Sequence, residues 1–172
     1  MIFPKEFYPK RIKDCSIQKS RKKFKNKKNK NTIFLLEERF LWMKKYLKGK
    51  KIIIELGCGN GASKDILNNK NILLTDIQKY PWISKKVDMV KLNLGKKYLK
   101  KVDVFIINHA LHHCQNPSLS LKKMSSYLKK DGLILLNEPE TSFFLKLFQY
   151  LLDDEAWSYK INIFNSKKNI FK

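Results

Sequence analysis

Ile52, Ile53, Ile54, Glu55 and Leu56 run without polar alternation straight into Gly57, Cys58, Gly59, Asn60 and Gly61. Strands with alternating character bury one face; an uninterrupted apolar run marks a strand buried on both, as in a parallel sheet flanked by helices. The glycines close the strand in a turn, and residues 62–68 read as a helix. A strand, glycine turn and helix in immediate succession leave few architectures open. The rest of the chain has to supply parallel neighbours and helices for both faces.

The following residues meet that demand. Residues 71–75 form a second apolar run that closes on Asp76, and a loop with Pro81 leads to a third candidate strand over 87–92. Residues 102–107 read as a fourth strand, 118–128 as a helix, and Asp131-Gly132 as a turn into a fifth strand over 133–137. Buried strands separated by helical stretches imply right-handed crossovers and a doubly wound sheet. Ahead of the first strand, apolar residues recur at three- and four-residue steps from 33 to 47, with Asn31-Thr32 as the cap and Gly49 as the stop. That pattern is an amphipathic helix.

The 172 residues suffice for one domain with a real core. Charge is lopsided, with 37 basic against 15 acidic residues and a net +22. Residues 1–30 alone carry net +10, and 19–30 are nearly devoid of apolar side chains apart from Phe24. Residues 1–31 are therefore expected to form a flexible basic arm, which offers contacts to nucleic-acid phosphates. Against that, Arg11, Arg21 and Arg39 are the sole arginines, and a lysine-dominated charge is equally that of a solvated surface. Cys15, Cys58 and Cys114 form neither a CxxC pair nor an even framework, so a reducing cytoplasm is expected. The first residues lack the apolar stretch of a signal peptide, and no window reaches the ~18 apolar residues of a membrane span.

The chemistry gathers at the glycine turn. Missing Cβ atoms let a ligand approach the backbone, and the helix that follows presents unpaired N–H groups. Asp76 closes the neighbouring strand 19 residues beyond Gly57, where a carboxylate accepts both hydroxyls of a ribose. A nucleotide cofactor follows. Gly57, Gly59 and Ala62 also satisfy a G-x-G-x-x-A spacing that would suit NAD. Glu55 before the first glycine, the alternate glycines, and the helix ahead of the first strand count against that choice.

Residues 53–61 resemble motif I of class I S-adenosylmethionine-dependent methyltransferases, and 73–77 are similar to their motif II. Residues 102–113, ending Asn108-His109-Ala110-Leu111-His112-His113, resemble motif IV of the type 11 small-molecule enzymes. Residues 128–139, with Asp131-Gly132 and Glu138-Pro139, resemble motif V. The resemblance implies a three-layer α-β-α Rossmann-like fold with a mostly parallel sheet and S-adenosyl-L-methionine as methyl donor, S-adenosyl-L-homocysteine being the product. It implies that Glu55 orients the glycine loop and the methionyl amino group. Gly57, Cys58, Gly59 and Gly61 would make room for methionine and ribose, Asp76 would hold the ribose and Ile77 would pack on adenine. Asn93-Leu94 falls where the family places an acid facing the adenine amine, with Asp88 as the competing candidate. Asn108 and His109 would line the transfer site, and His109 or His113 would serve as general base. His109 and His113 share helical spacing suited to a metal, but no third ligand accompanies them, so none is assigned.

The domain is expected over 32–165, with a Lys-rich tail over 166–172. An apolar helix over 143–152 either packs on the sheet or covers an apolar acceptor or membrane surface, and one strand follows over 157–164. Class I folds end in a two-strand hairpin, for which the remaining residues are too few. The C-terminal hairpin is expected to be incomplete. The function implied is methyl transfer to oxygen or carbon of a small molecule. The rivals are an RNA-associated methyltransferase positioned by the basic arm, and a remnant that binds cofactor without catalysis.

Overall fold

The computed structural model describes residues 17–27, 29–114 and 116–139. Helix α1 spans Ile17–Lys25, α2 Lys30–Leu41 and α3 Lys44–Leu47; then follow β1 Ile53–Leu56, α4 Ala62–Ile66, β2 Ile72–Asp76 and β3 Lys85–Lys86. Strand β4 spans Val102–Asn108, α5 Pro117–Tyr127 and β5 Leu128–Asn137. The strands form one sheet in the order β3-β2-β1-β4-β5, every pair parallel. This is the doubly wound α/β arrangement that the alternating pattern predicts. Strand order reverses between β1 and β4, and in open α/β sheets the crevice at the carboxyl ends of such strands is where ligands bind.

Strand β1 shows why its sequence lacks alternation. Ile53 points into a cluster with Phe40, Met43, Leu47, Leu74 and Ile106. Ile54 and Leu56 point the other way, into a cluster with Phe105, Ile107, Met124 and Tyr127. Successive Cβ atoms take opposite faces, and both faces are covered. Burying one such side chain contributes ~1.5–3 kcal/mol.

Several expectations are corrected. The flexible arm does not extend over 17–25, which form α1. Its Ile17, Arg21 and Phe24, four and three residues apart, are its partly covered positions, while Lys19, Lys22 and Lys23 face outward. Helical spacing of one apolar face was present but masked by the lysines. The helix expected over 33–47 is two: Asn29, not Asn31-Thr32, caps α2 through its side chain to the Thr32 N–H at 3.1 Å. Its end tightens at Met43 N–H to Phe40 O, 2.9 Å, turning Met43 fully inward before α3 resumes.

The third strand is Lys85–Lys86, not 87–92. The Asp88 side chain accepts from the Val90 and Lys91 N–H groups, a local alternative to ladder bonds. Val87 and Leu92 are buried nonetheless, so their apolar character serves the core from a loop. The Asp131-Gly132 turn is an irregularity inside β5. Val102 pairs with Leu128 and Val104 with Leu133, so 129–132 bulge opposite Asp103 alone. A Cβ at Gly132 would lie 2.8 Å from Leu128 Cδ2 and 3.0 Å from Val102 O, hence the glycine. Asp103 accepts from the Lys51 and Ile52 N–H groups and pairs with Lys129, tying the bulge to the start of β1.

No helix of the described residues is long and apolar enough to cross a membrane. The apolar helix over 143–152, the strand over 157–164, the tail and the C-terminal hairpin lie outside the described residues.

Candidate functional site

The glycine turn is shaped by three left-handed glycines with φ of 69° at Gly57, 49° at Gly59 and 66° at Gly61. Of the three, only Gly59 would take a Cβ without crowding, with Ile17 Cδ1 at an ordinary contact distance of 3.9 Å. A Cβ at Gly57 would lie 2.6 Å from Ala110 Cβ, and one at Gly61 2.8 Å from Trp82 Cδ1. Gly57 and Gly61 therefore permit close packing within the protein, where the sequence pointed to room for a ligand. The Gly57 contact also brings the turn after β1 against the turn after β4. Those two turns flank the point where strand order reverses.

Asp76 braces the loop. Its Oδ2 accepts from Gly59 N–H at 2.9 Å and its Oδ1 from Gln78 N–H at 3.1 Å. A carboxylate has about four acceptor sites, so each oxygen keeps capacity for a further donor. Ile77 beside it is exposed, an apolar surface next to an acid. Cys58 donates its N–H to Thr75 O at 3.0 Å, but its thiol is buried in the core cluster. Burial, with the nearby Glu55 and Asp76 charges, raises the pKa of that thiol, so Cys58 contributes backbone and packing.

Glu55 is 2% exposed and takes a hydrogen bond from the Ser63 hydroxyl at the start of α4. Burial pushes its pKa up to about 8, the Asp76 charge adds to the rise, and the Ser63 bond opposes it. A buried carboxyl at this position answers to a cation far better than to an anionic pyrophosphate.

Asn93 and Leu94 are not at the turn. Asn93 Oδ1 caps the Gly95 N–H at 3.1 Å, Leu94 is buried with its N–H on the Tyr127 hydroxyl, and Lys85 Nζ holds both their carbonyls at 3.0 Å. The segment that reaches the turn is Asp88-Met89. Met89 Cε is 3.3 Å from the Cβ position of Gly57, and Met89 Sδ is 3.9 Å from Cys114 Sγ. The competing candidate Asp88 directly precedes Met89 and so lies beside the turn in sequence, whereas Leu94 is buried in the core and Asn93 is exposed.

Across the crevice, β4 ends at Asn108, whose Oδ1 is buried with no hydrogen-bond partner among the described residues. An acceptor so placed at a strand end favours a ligand donor. His109 follows with φ of 51° and donates its N–H to Asn137 O at 2.8 Å. The next residues form a short turn, Leu111–His113, closed by a carboxylate from the end of β5. Glu138 Oε1 accepts from the Ala110 and Leu111 N–H groups at 2.9 and 2.8 Å, and its Oε2 meets His112 Nδ1 at 2.5 Å. Burial raises the Glu138 pKa, but the His112 bond and the two backbone donors outweigh it and hold it down to about 2. The sequence singled out His109 and His113. The fold pairs His112 with an acid, and its ring lies 4.0 Å from that of His113 and 6.5 Å from that of His109. The one sequence signal for the pair was the acid directly after the fifth strand, in Asn137-Glu138-Pro139.

Two pairs of acidic side chains lie in this part of a strongly basic chain. Glu55 and Asp76 act together on Cys58, and Asp88 and Glu138 together on Cys114. The arrangement can hold a ligand that carries positive charge and hydroxyls, beside a histidine in a fixed orientation.

A family model described as a methyltransferase domain matches residues 25–167. The chain belongs to that methyltransferase family. The CMeT domain of the citrinin polyketide synthase is similar at 19% identity and a TM-score of 0.46, covering 61% of this chain and 33% of that one. The trans-methyltransferase CalH, solved with SAH, is similar at 19% identity and 0.41, covering 54% and 33%. The DszA carbon methyltransferase is similar at 24% identity and 0.42, covering 62% and 34%. The methyltransferase domain described here thus spans about a third of those chains. No curated protein matches it.

Proposed function

We propose that this domain binds S-adenosyl-L-methionine at the glycine turn and transfers its methyl group to a carbon or oxygen of a small molecule. The observation that carries the reading is the acceptor set around the turn: buried Glu55, half-buried Asp76 and the buried Asn108 Oδ1 that has no partner among the described residues, in a chain of net +22. Asp76 would take the ribose hydroxyls, Ile77 the adenine face, Asp88 the adenine edge, and Glu55 with Asn108 the ammonium end. These residues fit the donor and oppose a dinucleotide. When bound, the donor supplies a sulfonium-activated methyl group, which asks of the protein chiefly alignment and removal of one acceptor proton.

His112 is the base in this reading. Its Nδ1 hydrogen bond to Glu138 sets the tautomer in which Nε2 carries the lone pair, and the carboxylate stabilises the imidazolium that forms when Nε2 takes the proton. His109 and His113 shape the wall beside it.

Calorimetric titration with S-adenosyl-L-homocysteine and with NADH, on wild type and Asp76→Ala, tests the cofactor. Binding of the homocysteine product alone, lost in the variant, is expected. Binding of NADH instead, or of neither by a folded sample, overturns the reading.

The outward Lys19, Lys22 and Lys23 of α1 favour a second reading, in which RNA is held by the basic surface. Its signature is a steep fall of filter-bound RNA with salt, because each phosphate contact releases counterions.

A further inference from the structure

Three successive carbonyls of the glycine turn are held by side chains from outside it. Trp82 Nε1 donates to Gly59 O at 2.9 Å. Arg21 Nη1 donates to Asn60 O at 2.9 Å and to Gly61 O at 3.0 Å. The same nitrogen reaches Asp65 Oδ2 in α4 at 2.8 Å, and the guanidinium lies 5.5 Å from the Trp82 ring centre. Trp82 in turn stacks with Tyr80, ring centres 5.1 Å apart and planes 6° from parallel.

More of α1 follows Arg21 onto the turn. Asn60 Nδ2 donates to Ser20 Oγ at 3.0 Å, Lys25 Nζ to Asp65 Oδ1 at 2.8 Å, and Ile17 covers the open face of Gly59. All but Lys25 of these α1 residues precede the segment matched by the family model.

We propose that Arg21 is a positioning residue of the methyl-donor site, and that α1 docks on the glycine turn in step with donor binding. The inference rests on the donor reading above. Its physics is local. A turn of three left-handed glycines has large conformational freedom, and a ligand that needs one conformation bears the entropy of fixing it. Arg21 and Trp82 fix the turn from its carbonyl side and leave Gly59 N–H on Asp76. Sites that share one conformational equilibrium influence each other reciprocally, so a bound donor should in turn tighten α1.

Two measurements on the full chain test this. Arg21→Ala should weaken S-adenosyl-L-homocysteine binding about 10- to 100-fold, the range for losing hydrogen bonds to a charged group, while its ligand-free unfolding midpoint stays near wild type. Arg21→Lys, which keeps the charge and the reach to Asp65 without the planar fork, should recover part of the affinity. In wild type, S-adenosyl-L-homocysteine should slow trypsin cleavage at Lys19, Arg21, Lys22 and Lys23; this arm decides alone if Arg21→Ala does not fold. Affinity of Arg21→Ala within about twofold of wild type, or unchanged cleavage of α1 with ligand, overturns the proposal; a twofold change is ~0.4 kcal/mol and too small for such a clamp. A wild type that binds no S-adenosyl-L-homocysteine overturns the donor reading and the proposal together, and is told apart by that control.

Discussion

Glu138, the first residue after β5, holds His112, the fourth residue after β4, through an Nδ1 to Oε2 contact of 2.5 Å. The same carboxylate closes the turn that carries the histidine by accepting from Ala110 and Leu111. Parallel pairing of β4 with β5 to Asn108 and Asn137 sets both strand ends at one level, so acid and imidazole meet without either segment reaching. The relationship links sheet register to chemistry.

If His112 is the base, His112→Ala should lower the rate of transfer ~10²–10⁴-fold, the usual worth of a positioned proton acceptor. Its affinity for S-adenosyl-L-homocysteine should hold. Glu138→Gln should lower the rate less, because the ring stays in place but loses its counter-charge. Transfer from methyl-labelled donor to the acceptor, beside calorimetry on the same variants, measures both. Equal loss of binding and rate would assign the pair to folding.

Glu138 also makes an acid-range prediction. Its pKa is held down to about 2 against an ordinary 4.5, so its stabilising contribution is present above 4.5 and is lost as pH falls towards 2. Urea midpoints of wild type should therefore drop more steeply below pH 4.5 than those of Glu138→Gln.

Glu55 has the opposite sign. With its pKa raised from 4.5 to about 8 in the folded chain, its contribution is present below 4.5 and lost as pH rises through 8. Ligand-free wild type should lose stability relative to Glu55→Gln across that window. Saturating S-adenosyl-L-homocysteine, whose ammonium favours the ionised carboxylate, should flatten the difference. Urea unfolding of both proteins at several pH values, with and without ligand, reads it.

The glycines should separate by role. Alanine at any of them meets ~1–2 kcal/mol of left-handed strain. Gly57→Ala and Gly61→Ala should add ~1–3 kcal/mol of overpacking, against Ala110 and Trp82 respectively. Gly59→Ala should stay near the strain alone, its new methyl at ordinary contact distance from Ile17, and should weaken ligand binding through the turn it reshapes. Equal destabilisation by all three would contradict the packing described here.

Asn108→Ala should trade in the other direction. Removing a buried oxygen that has no partner among the described residues should leave the ligand-free chain as stable or up to ~1–3 kcal/mol more stable. Binding of S-adenosyl-L-homocysteine should fall. A loss of stability with unchanged binding would mean that the oxygen serves the fold.

Much was legible in the residues alone, and for a local reason. Burial on both faces of β1 follows from five successive residues, the turn from three glycines within the next five, and the brace from an acid at the end of the adjacent strand. Such signals need only nearest neighbours along the chain or the period of a strand. They placed Glu55, Asp76 and Asn108 at one edge of a parallel sheet. They failed where a side chain answered to something distant. Asp88 folded its own loop into a turn in place of a strand, and Arg21 turned the inner face of a lysine-rich arm into a docked helix. For the acid expected near 93 the fold leaves Asp88 as the candidate, because its neighbour Met89 reaches the glycine turn while Tyr127 helps hold Leu94 in the core.

The sequence by itself determined that this chain would build parallel, doubly covered strands with a glycine turn and an acid at the end of two of them. Only tertiary structure decided which histidine meets an acid, which glycine stays open and what holds the turn. Periodicity is written residue by residue, whereas His112 with Glu138, Gly57 with Ala110 and Arg21 with Asn60 are separated by 26 to 53 residues, and it takes crossovers, strand register and the docking of α1 to bring them together.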